Sequence, residues 1–238
     1  MRIDVLTLFP EMFTGVLGSS ILKRAQTKGL VSYHLHQLRD YTSDPHKKVD
    51  DKPFGGGPGM VIMCQPVMDA VAAIEPLDVV PAVPVILAPT GERFSQGLAE
   101  ELSNRPRLLL IAGHYEGFDE RIHDLLKPRG LREISVGDYI LSGGELPAMV
   151  VLDTVVRLVP GVLGDDQSPH GESFGTGDAT IQGGLEYPHY TRPREFQGLA
   201  VPEILFSGHH GAVEAWRREQ ARKRTAERRP DLLKGTEN

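Results

Sequence analysis

Three glycine-rich stretches hold the residue types that let a main chain meet a ligand at close range. The first is Gly55-Gly56-Gly57-Pro58-Gly59, with Asp50-Asp51-Lys52 just upstream. Its spacing, and the lack of a following lysine, exclude a phosphate-binding P-loop and a dinucleotide fingerprint. Alone the glycines make a flexible turn; beside these charges they open the backbone to a ligand or another chain. The second stretch is Gly113-His114-Tyr115-Glu116-Gly117, directly after the apolar run RLLLIA. The plain alternative is a tight turn with a surface glutamate. Open α/β sheets, however, bind ligands beyond the carboxyl ends of their strands, where Glu116 could accept hydrogen bonds from a base. The third stretch, SVGDYILSGGE at residues 135–145, runs from a strand into a helix. A glycine pair at a helix start exposes backbone N–H and C=O groups suited to an adenine and an amino-acid moiety.

Periodicity supplies the elements that position these stretches. Alternation predicts strands over residues 2–9 and 31–38. Residues 20–28 read as a helix, with Ser20 as N-cap and Gly29 at its end. A long polar loop fills 39–59. Further helices are predicted over 65–75, 95–103, 118–126 and 145–158, the last stopped at Pro160. The apolar runs 84–88 and 107–112 read as buried strands, and 132–141 as a strand running into a loop. This order implies an α/β fold, with a mostly parallel sheet covered on both faces. The pattern changes after Pro160: residues 161–189 hold seven glycines and no lysine or arginine. That composition reads as a mobile linker. Residues 190–238 are helical in character, with Trp216, Leu232 and Leu233 as expected core. The expected division is therefore an α/β domain at 1–160, a linker at 161–189 and a small helical domain at 190–238.

Composition bounds the function. The 238 residues are 40% hydrophobic and 24% charged, an ordinary globular balance. The single cysteine, Cys64, excludes an internal disulfide and reads as a small apolar filler in a reducing cytoplasm. No run approaches the ~20 apolar residues that cross a bilayer, so no membrane partner is expected. A net charge of −6 argues against a general nucleic-acid binder. Yet Arg217, Arg218, Arg222, Lys223, Arg224, Arg228 and Arg229 cluster near the end, against Glu214, Glu219 and Glu227. Such a patch is either a local polyanion contact or a solvated helix face with internal ion pairs. His34 and His36 share a strand face expected to meet solvent, His209 and His210 read as surface residues, and no metal site is expected.

Taken together, six segments are far more specific. LTLFPEMF, VDDKPFGGGPGM, AGHYEGFDERI, DYILSGGELPAM, RLVPGVLG and PHYTRP occur in this order. They resemble the bacterial tRNA (guanine-N1)-methyltransferases of the SPOUT class over residues 1–233. The resemblance implies an α/β domain tied in a deep trefoil knot, a property that topology rules would not predict. It implies S-adenosylmethionine as cofactor, a homodimer with shared sites, and as substrate the guanosine at tRNA position 37, just 3′ of the anticodon. Matched to its binding loops are Pro89 and Thr90; Gly113, Tyr115 and Glu116; Val136, Gly137, Asp138, Tyr139, Ile140 and Leu141; and Gly143, Gly144 and Pro147.

The resemblance also assigns the chemistry. Guanine N1 carries a proton and is a poor nucleophile until that proton leaves. A carboxylate acts as general base, and a cation stabilises the charge developing on O6. The cation matches Arg157, whose plain alternative is a capping arginine at a helix C-terminus. The base falls at Glu172, where the family carries aspartate before serine. The loop after it, GTGDATIQGG, is longer than the family's, which leaves Asp178 as the alternative and Asp165 and Asp166 behind it. Magnesium is implied as an assistant, with no protein motif to hold it. Three rivals stand beside this reading. A knotted methyltransferase for another RNA is disfavoured by GGGPGM and PHYTRP. A non-catalytic RNA-binding relative is disfavoured by Arg157 and the cofactor loops. A nicotinamide enzyme is disfavoured because no G-x-G-x-x-G follows the first strand.

Overall fold

The computed structural model describes residues 1–164, 172–175 and 183–236. The chain forms two compact units, 1–164 and 165–238.

The first unit is built on a five-stranded, wholly parallel sheet. In chain order its strands are β1 (Arg2–Thr7), β2 (Ser32–Gln37), β5 (Val83–Arg93), β6 (Arg107–Ala112) and β7 (Arg132–Ser135), and β3 (Asp50–Asp51) pairs with β4 (Val61–Ile62) outside it. The order across the sheet is β2-β1-β6-β5-β7. Strand β6 lies at its centre, and all of its residues are buried. The period of two divides it between two cores: Leu108, Leu110 and Ala112 face one, Leu109 and Ile111 the other. The first core is closed by α2 (Ser20–Thr27), α4 (Gln96–Ser103) and α6 (Glu145–Val156), through Leu22, Leu102 and Val151 among others. The second is closed by α3 (Cys64–Ile74) and α5 (Arg121–Leu126), through Val67, Ile74 and Ile122. The short α1 (Thr14–Leu17) follows a 3-10 turn at Pro10–Phe13.

Several boundaries differ from expectation. The cap of α2 is Ser19, in extended conformation, and Ser20 is already helical. Helix α5 starts at Arg121, because Phe118 is held by a bridge to Ile62 instead. Strand β5 does not stop at Ala88. Its pairing with Ile134 passes from Leu87 to Glu92, so residues 88–91 bulge out before the strand resumes. Gly91 permits this, since a Cβ there would collide with the backbone amide of Ile134. His36 is not a solvent residue: its Nε2 lies 2.9 Å from Asp4 and its Nδ1 3.0 Å from the Tyr41 hydroxyl. The polar loop expected over 39–59 contains a 3-10 turn, Leu38–Tyr41, and β3.

In the second unit, α7 (His210–Arg228) is preceded by a 3-10 turn at Glu203–Phe206. His209 caps α7, its Nδ1 accepting from the amide of Ala212 at 3.2 Å. The unit also holds a hairpin that periodicity does not reveal, β8 (Glu195–Phe196) with β9 (Leu199–Ala200), turning through Gln197 and Gly198, both at positive φ. Trp216, Leu232 and Leu233 are half-buried rather than core; the buried residues of α7 are Ala221 and Thr225. Thr225 accepts a hydrogen bond from the amide of Leu185 at 3.0 Å, and the amide of Phe174 donates to the carbonyl of Gly184 at 2.8 Å.

Candidate active site

A cavity of about 390 Å³ opens at the carboxyl ends of β5, β6 and β7. Its walls come from three loops. The β5 bulge supplies Pro89 and Thr90, and the loop after β6 supplies Gly113, Tyr115 and Glu116. The loop after β7 supplies Val136, Gly137, Tyr139, Ile140, Leu141, Gly143 and Gly144, and Pro147 follows from the first turn of α6. Of the residues the sequence assigned to a cofactor, Asp138 alone is not part of the lining. The amide of Tyr139 donates to the Gly137 carbonyl at 3.0 Å, which leaves Asp138 exposed at the apex of a tight turn.

Short backbone bonds join the loops. The amide of Gly144 donates to the Gly113 carbonyl at 2.6 Å, and His114 bridges Gly143. The amide of Glu116 donates to the Met60 carbonyl at 3.0 Å, and that of Ile62 to Gly117 at 2.9 Å. The end of the GGGPGM stretch is thereby tied to the loop after β6, and the Glu116 side chain lies against Gly59. Beneath the lining, Glu145 is 2% exposed and accepts from the Thr7 hydroxyl at 2.8 Å. A carboxylate in the first turn of α6 is favoured by the helix dipole. His114 Nδ1 lies 3.7 Å from Glu145, beyond hydrogen-bonding range, and is buried without a hydrogen-bond partner among the described residues.

Sequence reasoning missed some of the lining. Glu120 and His123 reach the cavity from the start of α5, and His123 is held 2.6 Å from Glu133 on β7. Only the contact between neighbouring loops places them there; their local pattern is that of a surface helix. Beside α5, burial and the nearby Asp119 raise the Cys64 thiol above its usual range. Asp119 is held well below the carboxylate range, first by its hydrogen bond to Arg121. Among the described residues no group of three or more His, Cys, Asp or Glu is placed to hold a metal ion.

Arg157, assigned to the charge that develops on the guanine, does not line this cavity. Arg157 is the C-cap of α6, its amide donating to Asp153 at 3.2 Å. The helix between it and Gly144 spans roughly 18 Å at 1.5 Å per residue. Glu172, in the second unit, is half-buried, and its carbonyl accepts from the Gly175 amide at 3.1 Å. The adjoining Ser173 hydroxyl accepts from the amide of Glu186 at 3.1 Å. Asp165, Asp166 and Asp178 lie outside the described residues.

Comparison with known proteins follows the same segments. The family model described as tRNA (Guanine-1)-methyltransferase TrmD matches residues 1–235. A tRNA (guanine-N(1)-)-methyltransferase of Shouchella clausii is 54% identical, covering 100% of this chain and 93% of the relative. That of Rhodopirellula baltica is 51% identical over 98% of this chain and 94% of its own length. That of Moorella thermoacetica is 54% identical over 98% and 90%. With its parallel sheet and clustered loops matched from end to end, the chain belongs to the tRNA (guanine-1)-methyltransferase TrmD family.

Proposed function

We infer that this chain transfers the methyl group of S-adenosylmethionine to N1 of the guanosine at position 37 of tRNA, 3′ of the anticodon. The observation that carries the reading is convergence: thirteen of the fourteen residues expected to hold the cofactor line one cavity. The cavity suits that cofactor. Its size falls in the range of small-molecule sites, and its glycines offer backbone donors and acceptors to an adenine and an amino-acid group. Leu87, Ile134 and Leu141 give apolar walls, and Glu116 a carboxylate.

Bound there, S-adenosylmethionine supplies an electrophilic sulfonium methyl. The protein's task is then the guanine. On this reading Glu172 accepts the N1 proton, and Arg157 stabilises the negative charge left on O6.

The same reading makes the protein a homodimer. Arg157 stands at the far end of α6 from the cavity, so a site using both draws them from two chains. An exposed apolar surface supports the pairing: Leu146 and Val150 on α6 are each 49% exposed, and Met12 lies on the adjoining 3-10 turn. We extend the fold to the deep trefoil knot, supported by the return of residues 136–144 to the loop after β6. Residues 190–238 serve as a helical tRNA-binding domain behind a linker at 161–189. Magnesium acts with the RNA rather than on a protein ligand set. No helix among the described residues is long and apolar enough to cross a membrane, and on this reading the protein works in the cytoplasm beside its tRNA substrate.

Mapping modified nucleosides in tRNA incubated with the protein and labelled cofactor tests the function. One label, as N1-methylguanosine at position 37, is expected. Label at another nucleoside would favour a knotted methyltransferase for a different RNA position, and no label would sink the reading.

A further inference from the structure

A second cavity, of about 360 Å³, lies wholly in the second unit, between Tyr187 and Arg217 in sequence. Two cation–π pairs form its walls. The guanidinium of Arg194 sits 4.3 Å from the centre of the Phe206 ring, and that of Arg217 sits 4.8 Å from the centre of Tyr187. Val201, Leu205 and Val213 make an apolar floor, and Arg192 adds a third cation. Among the described residues no aspartate or glutamate belongs to the lining, although the whole chain carries a net charge of −6.

The Arg217 side chain that lines this cavity is 40% exposed. Nε of Arg217 is buried without a hydrogen-bond partner among the described residues. Glu214 meets the other end of the guanidinium at a stretched 4.0 Å. Flat aromatic faces, planar guanidinium groups and a surplus of positive charge describe the chemistry that receives an aromatic anion. In RNA that ligand is an unstacked base with its phosphate, since bases stack on aromatic rings and on guanidinium planes.

We propose that this cavity is a nucleotide pocket, which takes one unstacked base of the RNA substrate against the Tyr187–Arg217 and Phe206–Arg194 pairs and holds the adjoining phosphate on Arg192. The assignment rests on the tRNA-methyltransferase reading and adds to it a contact that reads a base plane as well as a charge. That distinction sets the test. Lysine keeps the charge of arginine but loses its planar fork and stacking face.

The full chain with an unmodified tRNA transcript is the system. Arg217→Lys and Arg194→Lys are each expected to weaken tRNA binding by about 10-fold, from the usual worth of base stacking. The slope of affinity against salt stays unchanged, as does S-adenosylmethionine binding by calorimetry. Ultraviolet irradiation of the wild-type complex, which needs no variant, should crosslink a nucleotide to the peptide carrying Tyr187 and Tyr190. Wild-type affinity in both lysine variants would reduce the arginines to point charges and overturn the pocket. A crosslink found only elsewhere would do the same. If the wild type still methylates guanosine in either of those cases, the functional reading survives and only the pocket falls; if the wild type neither binds nor methylates tRNA, both fall.

Discussion

The amide of Gly144 donates to the carbonyl of Gly113 at 2.6 Å, and this bond ties the start of α6 to the loop leaving β6. The approach leaves no room for a side chain. A Cβ on residue 144 would stand 2.7 Å from the Gly113 nitrogen and 2.9 Å from the Ala112 Cα, both rigid backbone. Gly144→Ala should therefore push the two loops apart. Overpacking of this kind costs about 1–3 kcal/mol, and the cavity formed by those loops should lose cofactor affinity by about 10-fold or more. Calorimetry with S-adenosylmethionine checks this; wild-type affinity would show that the closeness of the loops is incidental to the site.

Asp4 and Arg107 form a fully buried ion pair, Oδ2 to Nε at 3.0 Å. Arg107 also donates to the carbonyls of Ile74, Glu75 and Val80, fastening β6 to the end of α3. Burial pushes the Asp4 carboxyl up, but hydrogen bonds from His36, Arg2 and Arg107 outweigh it and hold the group well below the usual carboxylate range. A carboxyl lower in the folded than in the unfolded state stabilises the fold above the unfolded value, about 3.9. That contribution fades as pH falls from there through the folded value. Asp4→Asn should cost about 3–5 kcal/mol near neutral pH by stranding Arg107. It should also flatten the fall of stability below about pH 4. Urea unfolding at neutral and acid pH checks both; parallel curves for the two proteins would contradict the pairing.

The span of α6 predicts complementation between chains. An Arg157→Ala chain keeps its cavity, and a Gly144→Val chain keeps its arginine. Each should be inactive alone. A mixed dimer would hold one site with both parts intact, so unfolding and refolding the two together should restore activity, up to about half of the mixed dimers' wild-type sites. No recovery, or a monomer in sedimentation at working concentration, would refute the shared site.

The arginines of α7 divide into two roles. Arg217 lines the second cavity, whereas Arg222 and Lys223 are exposed and the exposed Arg218 meets Glu214 at 3.5 Å. The exposed set should hold tRNA through phosphates. Replacing Arg218, Arg222 and Lys223 with glutamine together should lower the slope of log affinity against log salt by about 2, at roughly 0.7 per lost phosphate contact. Cofactor binding should not change. An unaltered slope would make this a solvated helix face.

What the sequence revealed, and what it hid, follows from range. Strand β6 is legible because both its faces are buried, so RLLLIA reads as an unbroken apolar run. The loops that line the first cavity are legible because each occupies one contiguous segment. By contrast, Pro89 and Gly91 look like strand terminators, and only pairing with β7 shows that β5 resumes beyond them. Ser19 and Ser20 are equal as caps on local chemistry, and only the extended backbone at Ser19 distinguishes them. The tie between His36 and Asp4 joins residues 32 positions apart, for which no local pattern exists. The hairpin at Glu195–Ala200 escaped because its strands are two residues each, too short for any period. Arg157 and Glu172 are singled out only by resemblance, since nothing in their immediate sequence marks them.

The sharpest prediction concerns the base. The resemblance, taken in register from Arg157 through Gly164 to Ser173, implies that Glu172 stands where the family carries aspartate. Its turn is pinned on both sides, by the Phe174 amide on Gly184 and by the Glu186 amide on Ser173. The backbone is thereby fixed while the carboxylate keeps an extra methylene of reach. Glu172→Gln keeps the shape and removes the base, and should slow single-turnover methyl transfer by ~10²–10⁴-fold. Cofactor and tRNA affinities should be unchanged. Glu172→Asp should keep substantial activity, restoring the family's residue at the same position. Asp178→Asn is the matched control and should be mild. The opposite pattern, with Asp178→Asn inactive and Glu172→Gln near wild type, would mean that the longer loop has moved the base. Near-wild-type transfer in both variants would send the proton to water and leave Arg157 as the main protein contribution to the chemical step.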